Sequence, residues 1–228
     1  MKAIILASGF GTRLYPLTRN KAKALLEYKG KPVAGHIVDR IPEDIEVFVT
    51  SNGKFEMDFR KWLKTLSRPV ILCVEPVFTE AQRLGAVGSL YSCIKTRNLV
   101  DDLLVIAGDN YFEFNLSQFI SAYDGKTTLV AVFDIGNRSK ASQFGVVELD
   151  GHRIIRFDEK PAKPKSSLVA TACYILPPRI LPLLSEFRNS HDKDNLGSFI
   201  SFLLARDEVF AYVFAESWLD IGSVAFKS

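Results

Sequence analysis

Residues suited to phosphate chemistry cluster near the amino terminus. Positions 6–18 read Leu-Ala-Ser-Gly-Phe-Gly-Thr-Arg-Leu-Tyr-Pro-Leu-Thr. Gly9 and Gly11 let the backbone come close to a ligand and take positive φ, so that successive amides can cradle phosphate oxygens. Arg13 supplies a planar fork suited to phosphate. Residues 1–31 hold seven bases (Lys2, Arg13, Arg19, Lys21, Lys23, Lys29, Lys31) against one acid, Glu27. That segment carries +6 in a chain of net charge +3, so the remainder sums to −3. A basic segment joined to a glycine-rich turn suits a polyanion, and a small phosphorylated ligand is enough. Taken alone, clustered lysines equally describe a solvated basic face. Two common phosphate loops are excluded. The dinucleotide fingerprint needs a third glycine where this chain has Leu14, and the Walker Gly-Lys-Ser/Thr is absent. Farther along, Asp109 closes the apolar run LLVIAGD, and strand carboxyl ends are where open α/β sheets place ligands. Gly108-Asp109-Asn110 also reads as an ordinary turn cap.

These groups need elements to hold them. AIILA (3–7) is a short apolar run feeding Ser8-Gly9, as a buried strand entering a loop would be. Similar runs recur at 46–50, 69–74, 103–107 and 128–133, separated by segments of helical period at 32–41, 54–66 and 86–96. Strands that are apolar throughout and alternate with helices predict a largely parallel sheet covered on both faces. After residue 134 the pattern changes. GVVEL (145–149), Asp150-Gly151 and RIIRF (153–157) predict a hairpin. A strand at 169–176, a helix from Pro178 to Phe187, a helix at 196–205 after an Asp194-Asn195 cap, and a strand at 209–214 follow, with 160–167 as a loop. The expected architecture is α/β: one domain, 1–228, with a mostly parallel mixed sheet flanked by helices.

Composition narrows the class. The chain has 228 residues, 47% hydrophobic and 24% charged, enough to bury a sizeable core. No uncharged apolar run approaches a membrane span, and MKAIILAS is too short for a signal peptide. Cys73, Cys93 and Cys173 are odd in number, widely spaced and set in apolar stretches, so they are expected as reduced core thiols. No basic run is interleaved with aromatics, which argues against nucleic acid. His36, His152 and His191 show no ligand spacing and are expected on surfaces or helices. A soluble cytoplasmic protein is the expectation.

The segment LASGFGTRLYPLT followed by KALLEYKGKPV resembles the signature of the sugar-1-phosphate nucleotidyltransferases, or nucleotide-sugar pyrophosphorylases. That pattern runs G-x-G-T-R-L-x-P-L-T, then P-K-x-L-L and G-K-P. The likeness continues through Gly108-Asp109-Asn110, Phe144-Gly145-Val-Val-Glu148, Glu159-Lys160-Pro161 and Trp218-Leu-Asp220-Ile-Gly222, five blocks in family order. It implies a Rossmann-like nucleotide-diphospho-sugar transferase fold. Residues 1–134 would form a nucleotide-binding half and residues 135–228 a sugar-phosphate half. The reaction implied joins a nucleoside triphosphate to a sugar 1-phosphate and releases diphosphate. Two anions must meet, so the site must neutralise charge and hold geometry.

By the same resemblance, Leu6, Ala7, Gly9, Gly11, Thr12, Glu75 and Gly85 contact the nucleotide. Arg13, Lys23 and Asp109 are catalytic, with Arg13 on the outgoing phosphates and Lys23 balancing charge at the reacting ones. Asp109 and Asp220 hold Mg²⁺, a hard ion that takes oxygen ligands. Gly145, Glu159, Lys160 and Tyr174 contact the sugar phosphate. Without the resemblance, Asp158-Glu159-Lys160-Pro161 is a charged turn and Asp220 an unremarked carboxylate.

Several positions depart from the pattern. Ala22 replaces the proline before the lysine. Ala170-Thr171-Ala172-Cys173-Tyr174 stands where the family often has Asn-x-Gly-x-Tyr, which leaves the sugar open. Glu75 stands where thymidylyl and uridylyl enzymes often carry Gln. A carboxylate accepts and does not donate, so Glu75 suits a base edge rich in N–H groups, guanine or cytosine; otherwise it is a solvent-facing strand end. With six residues after Gly222, the additions that many relatives carry are not expected. Asp192-Lys193-Asp194 imitates the Asp-x-Asp of glycosyltransferases but precedes a helix, so Asp194 is expected as a cap. Competing readings are a cytidylyltransferase acting on phosphocholine or another small phosphate, and a non-catalytic nucleotide-binding relative. A monomer or small homo-oligomer is expected.

Overall fold

The computed structural model describes residues 1–190 and 195–222. Its first half alternates strand and helix: β1 (Lys2–Leu6), β2 (Glu27–Tyr28), β3 (Lys31–Pro32), α1 (Val33–Arg40), β4 (Glu46–Asn52), α2 (Glu56–Leu63), β5 (Val70–Glu75), α3 (Gly85–Arg97) and β6 (Leu103–Ala107). There follow β7 (Asn110–Phe112), α4 (Leu116–Ser121), β8 (Thr128–Asp134), α5 (Arg138–Ala141), β9 (Gly145–Asp150) and β10 (Arg153–Glu159). The chain closes with β11 (Leu168–Leu176), α6 (Leu181–Ser190), α7 (Leu196–Leu204), β12 (Val209–Phe214) and β13 (Trp218–Asp220).

Nine strands make one sheet in the order β5-β4-β1-β6-β11-β8-β12-β10-β9. Pairing is parallel across β5-β4-β1-β6 and again between β8 and β12. It is antiparallel where β11 joins β6, β8 and β9, and where β10 joins β9 and β12. The parallel strands are apolar along their middles because both faces are covered, and β4 and β5 turn polar where they reach the cavity at their carboxyl ends. Along β1, Ala3 and Ile5 enter the core beneath α1 and α2, while Ile4 points through the sheet to the core beneath α3, α6 and α7. Along β6, Leu104 and Ile106 divide from Leu103 and Val105 in the same way. Such period-2 sorting follows from the pleat.

Two small pairings lie outside this sheet, β2 with β3 and β7 with β13. Neither these strands nor α4 and α5 were expected, since two to six residues carry too little pattern to register. The hairpin at Asp150-Gly151 forms as expected, with Gly151 at φ 58°.

β11 does not run evenly. Its register against β8 shifts between Ala170 and Tyr174, and Ala172 there sits at φ 54°. A residue with a Cβ is strained by roughly 1–2 kcal/mol in that region. Glycine relieves the strain but loses roughly 0.5–1 kcal/mol to unfolded-state entropy. Ala172→Gly is therefore expected to raise the melting temperature slightly, by about 1–3 °C. A lower melting temperature in a thermal scan would show that the strain is already relaxed.

Candidate active site

A cavity of about 870 Å³ opens where β1, β5 and β6 end, and it extends across to β10, β11 and α7. Its lining includes every residue singled out from the sequence: Leu6, Ala7, Gly9, Gly11, Thr12, Arg13, Lys23, Glu75, Gly85, Asp109, Gly145, Glu159, Lys160, Tyr174 and Asp220.

At one end lies the glycine loop. Gly11, at φ 66°, opens a short 3-10 turn over Thr12–Leu14, and Thr18 Oγ1 donates to its carbonyl at 2.6 Å. The loop rests on a polar shelf built from the last residues of β4 and β5. Ala7 N and Ser8 Oγ donate to Thr50 Oγ1 at 3.0 and 2.8 Å. Asn52 Nδ2 donates to Ser8 O at 2.8 Å, and Ser8 Oγ reaches Glu75 Oε1 at 2.5 Å. Thr50, Asn52 and Glu75 are all buried. Glu75 is thus no solvent-facing strand end: it is 4% exposed on the cavity wall. Beside it, α3 begins at Gly85 (φ 75°) and turns Ala86 and Ser89 toward the cavity. Buried polar groups are tolerated where they are bonded, and this shelf fixes the loop from below.

Three charged groups meet in the middle. Lys23 Nζ forms a close ion pair with Asp109 Oδ2 and lies 3.6 Å from Asp220 Oδ1. Lys23 opens a 3-10 turn whose next residues, Ala24 and Leu25, are buried and anchor it. Asp220 arrives through the β7–β13 pairing, in which Asp220 lies opposite Asn110, and Ile221 N donates to Asp109 O at 3.0 Å. Burial first, then the neighbouring Asp109 charge, push the Asp220 carboxyl above its ordinary range, while Lys23 opposes the shift. Gly222 makes this possible. A Cβ there would strike Lys23 Nζ, and its own N–H donates to Asp220 Oδ1 at 2.6 Å.

Among the described residues no group of three or more His, Cys, Asp or Glu side chains could hold a metal. Two convergent carboxylates, one of them resisting ionisation beside the other, still suit a hard divalent ion. Mg²⁺ is commonly held by one or two carboxylates with the remaining places taken by water and phosphate oxygens. Asp109 and Asp220 fit such an ion.

The far end of the cavity is built by the hairpin and α7. Glu159 ends β10 and lies 3.8 Å from Lys160, which takes φ 48° and keeps an exposed side chain. Gly145, opposite Glu159 in the register, leaves room chiefly for the Phe157 ring, which a Cβ there would strike, with Glu159 Oε2 next at 3.1 Å. Gly197, at the start of α7, leaves room for the carboxylate from the other side, where a Cβ would overlap Glu159 Oε2 outright. Asn195 caps α7, its Oδ1 accepting from Ser198 N at 2.7 Å. Tyr174 lines the cavity but is 2% exposed.

Sequence reasoning missed Gly197, and it placed Ser8, Asn110, Trp218 and Gly222 in motifs without giving them a role. Trp218 Nε1 donates to Asn110 Oδ1 at 3.3 Å, and the Asn110 amide donates to Thr171 O, which ties β13 to the irregular part of β11. Only the glycines carried a usable signal, and it was indistinct from that of turn glycines. For the reaction proposed below, Gly197→Ala is expected to displace Glu159 and raise the apparent KM for the acceptor phosphate at least fivefold, or about 1 kcal/mol. The KM for the nucleotide should barely change. Equal effects on both substrates in steady-state kinetics would show a general distortion instead.

Of the remaining motifs, Asp192-Lys193-Asp194 and His191 lie outside the described residues. His36 is helical but buried, its Nε2 2.7 Å from Tyr28 O, and burial lowers its pKa. His152 lies in the exposed hairpin turn. No helix among the described residues is long and apolar enough to cross a membrane.

One cavity of this mixed α/β sheet thus holds a glycine loop, a lysine between two carboxylates and a second polar end. A model of the nucleotidyl transferase family matches residues 2–225, and the chain belongs to that family. It is 31% identical over 230 residues to a protein of Sulfolobus acidocaldarius named "Putative mannose-1-phosphate guanyltransferase", covering 97% of this chain and 60% of the other. It is likewise 31% identical over 228 residues to the bifunctional protein GlmU of Methanocaldococcus jannaschii, covering 97% and 51%. The chain thus spans little more than half the length of these relatives. A crystal structure titled "Putative Glucose-1-Phosphate Thymidylyltransferase" from Bacillus anthracis superposes with a TM-score of 0.84 over 97% of this chain and 90% of that one. At 24% identity that likeness shows the fold alone.

Proposed function

We propose that this chain transfers a nucleoside monophosphate from a nucleoside triphosphate to a sugar 1-phosphate, giving a nucleoside-diphosphate sugar and diphosphate. One observation carries the reading: Lys23, Asp109 and Asp220 sit together between the glycine loop and the Glu159–Lys160 end of one cavity. The acceptor phosphate oxygen attacks the α-phosphorus and diphosphate leaves. The amides around Gly9 and Gly11, with Arg13, hold the outgoing phosphates. Lys23 offsets charge at the reacting centre, Lys160 holds the acceptor phosphate, and Glu159 accepts from its hydroxyls. Asp109 and Asp220 would hold Mg²⁺, which would supply charge neutralisation at the reacting phosphates. The relative named for guanyl transfer to mannose 1-phosphate supports this class of reaction. The working setting is cytoplasmic, as a monomer or small homo-oligomer without nucleic acid or membrane partners.

A second acceptor class stays in view on one observation. Ala170 and Ala172 line the acceptor end where the family often offers an amide and a glycine. An acceptor with fewer hydroxyls, such as phosphocholine, fits that lining. A matrix of nucleoside triphosphates against sugar phosphates and phosphocholine, read as diphosphate, decides both questions. Release with a sugar 1-phosphate supports the proposal, and release with no acceptor in the matrix defeats it. Within that matrix, the buried Glu75 carboxylate favours GTP or CTP. Glu75→Gln is expected to cut kcat/KM for the preferred triphosphate about tenfold, from about 1.4 kcal/mol of lost charge-assisted hydrogen bonding. An unchanged base preference would remove Glu75 from base recognition.

A further inference from the structure

Behind the nucleotide-side wall of the cavity, two thiols touch. Cys73 lies on β5, two residues before Glu75, and Cys93 lies on α3, one turn beyond Ser89. Their sulfurs are 3.0 Å apart. Both residues are buried, with Cys73 keeping 7% exposure and Cys93 2%. They stand on different elements, and α3 running back along β5 brings them together, with Arg97 farther along the helix donating to Leu72 O. A disulfide needs its sulfurs about 2.05 Å apart, so an approach of about 1 Å closes the bond.

The pair is also electronically uneven. The Cys93 S–H donates to the Cys73 sulfur, and the Arg97 guanidinium, one turn along α3, adds positive charge. Together they outweigh burial and lower the Cys73 pKa to about 7, while the Cys93 thiol is pushed up. Cys173, on β11, is pushed up by burial alone. The thiolate is the nucleophile in cysteine oxidation, so Cys73 is the thiol that reacts first.

We propose that Cys73 and Cys93 form a redox-modification site, closing reversibly into an intrachain disulfide that ties β5 to α3 on exposure to a hydroperoxide. The Cys73 thiolate attacks the terminal peroxide oxygen; the O–O bond breaks, and for hydrogen peroxide the leaving hydroxide becomes water. Cys93 sulfur then attacks the resulting Cys73 sulfenic acid, the S–O bond breaks, and the Cys93 proton leaves with the departing hydroxide as a second water. Two thiols are oxidised by two electrons and one peroxide is reduced. A thiol reductant reverses the link by exchange. The bond would join the strand that carries Glu75 to the helix that carries Ser89, both on the nucleotide-side wall. The proposal does not rest on the transferase reading, because its test reads sulfur chemistry alone.

The experiment treats the reduced full chain with excess hydrogen peroxide, then counts thiols after denaturation and maps tryptic peptides. The expected result is loss of two of the three thiols. Peptide 65–83 should be joined to peptide 84–95, with Cys173 still free for alkylation and full recovery in dithiothreitol. Cys173→Ser should give the same link. Cys93→Ser should give none, and instead a Cys73 sulfenic acid trapped by dimedone. Oxidation of Cys173 in step with the pair, links only between separate chains, or three thiols surviving a peroxide dose that oxidises free cysteine would each overturn the proposal.

Discussion

Lys23→Ala should lower kcat for diphosphate release at least a hundredfold. The ammonium is pinned between Asp109 and Asp220, at the junction of the glycine loop and the acceptor end. Removing a cation aimed at charge that develops in the transition state costs about 3 kcal/mol. The same change leaves two carboxylates facing each other without a counter-charge. Asp220, already pushed up by burial and by Asp109, would be raised further because Lys23 holds it down. Some loss of melting temperature should accompany the kinetic loss. Lys23→Arg restores the charge but places a wide fork against Gly222, where even a Cβ would collide with Nζ. Arginine should therefore recover the melting temperature better than the rate. An alanine variant within threefold of the parent rate would remove Lys23 from the chemistry.

The second expectation separates the two carboxylates. Asp109→Asn and Asp220→Asn should each lower kcat more than tenfold at saturating Mg²⁺, because each removes a charged oxygen ligand. Their effects on the unliganded protein should differ in sign. Asp109 is the close partner of Lys23, so its amide variant should melt lower. Asp220 is an acid whose folded pKa lies above its unfolded value. Its ionised form therefore costs stability at pH above both values, and that cost fades as pH falls through the folded pKa. Asp220→Asn removes the cost while the Asn oxygen can still accept from Gly222 N. It should melt at or above the parent at neutral pH, with the gain vanishing in acid. Melting curves over a pH series, run beside kinetics, read both effects. Parallel destabilisation by the two variants would mean that Asp220 is held chiefly by Lys23 rather than strained by Asp109.

Local rules made much of this legible in the sequence. The strand at 209–214 and the hairpin around Asp150-Gly151 follow from alternation and turn chemistry. Helices α1, α2 and α3 fall within a few residues of their periodic segments, and α2 starts late because Asn52 first caps a 3-10 turn at Gly53–Phe55. The glycine loop announces phosphate because two glycines and an arginine act within a single turn of chain.

What lay beyond reach was every relation set by register between distant segments. Asp220 means nothing until β13 pairs with β7 and carries it to Asp109. Gly197 looks like a helix-weakening residue until β10 delivers Glu159 against it. Cys73 and Cys93 read as two separate core thiols until β5 packs beneath α3. Glu75 could face solvent or cavity with equal ease, and the polar shelf of Thr50 and Asn52 decided it. The sequence by itself determined the longer elements and the glycine loop, because these depend on neighbours two to four residues away, and it determined the family through motif blocks spread along the chain. Tertiary structure alone decided which charges share the centre and which glycines are indispensable, because a one-residue slip in strand pairing would reassign every such contact without changing any local pattern.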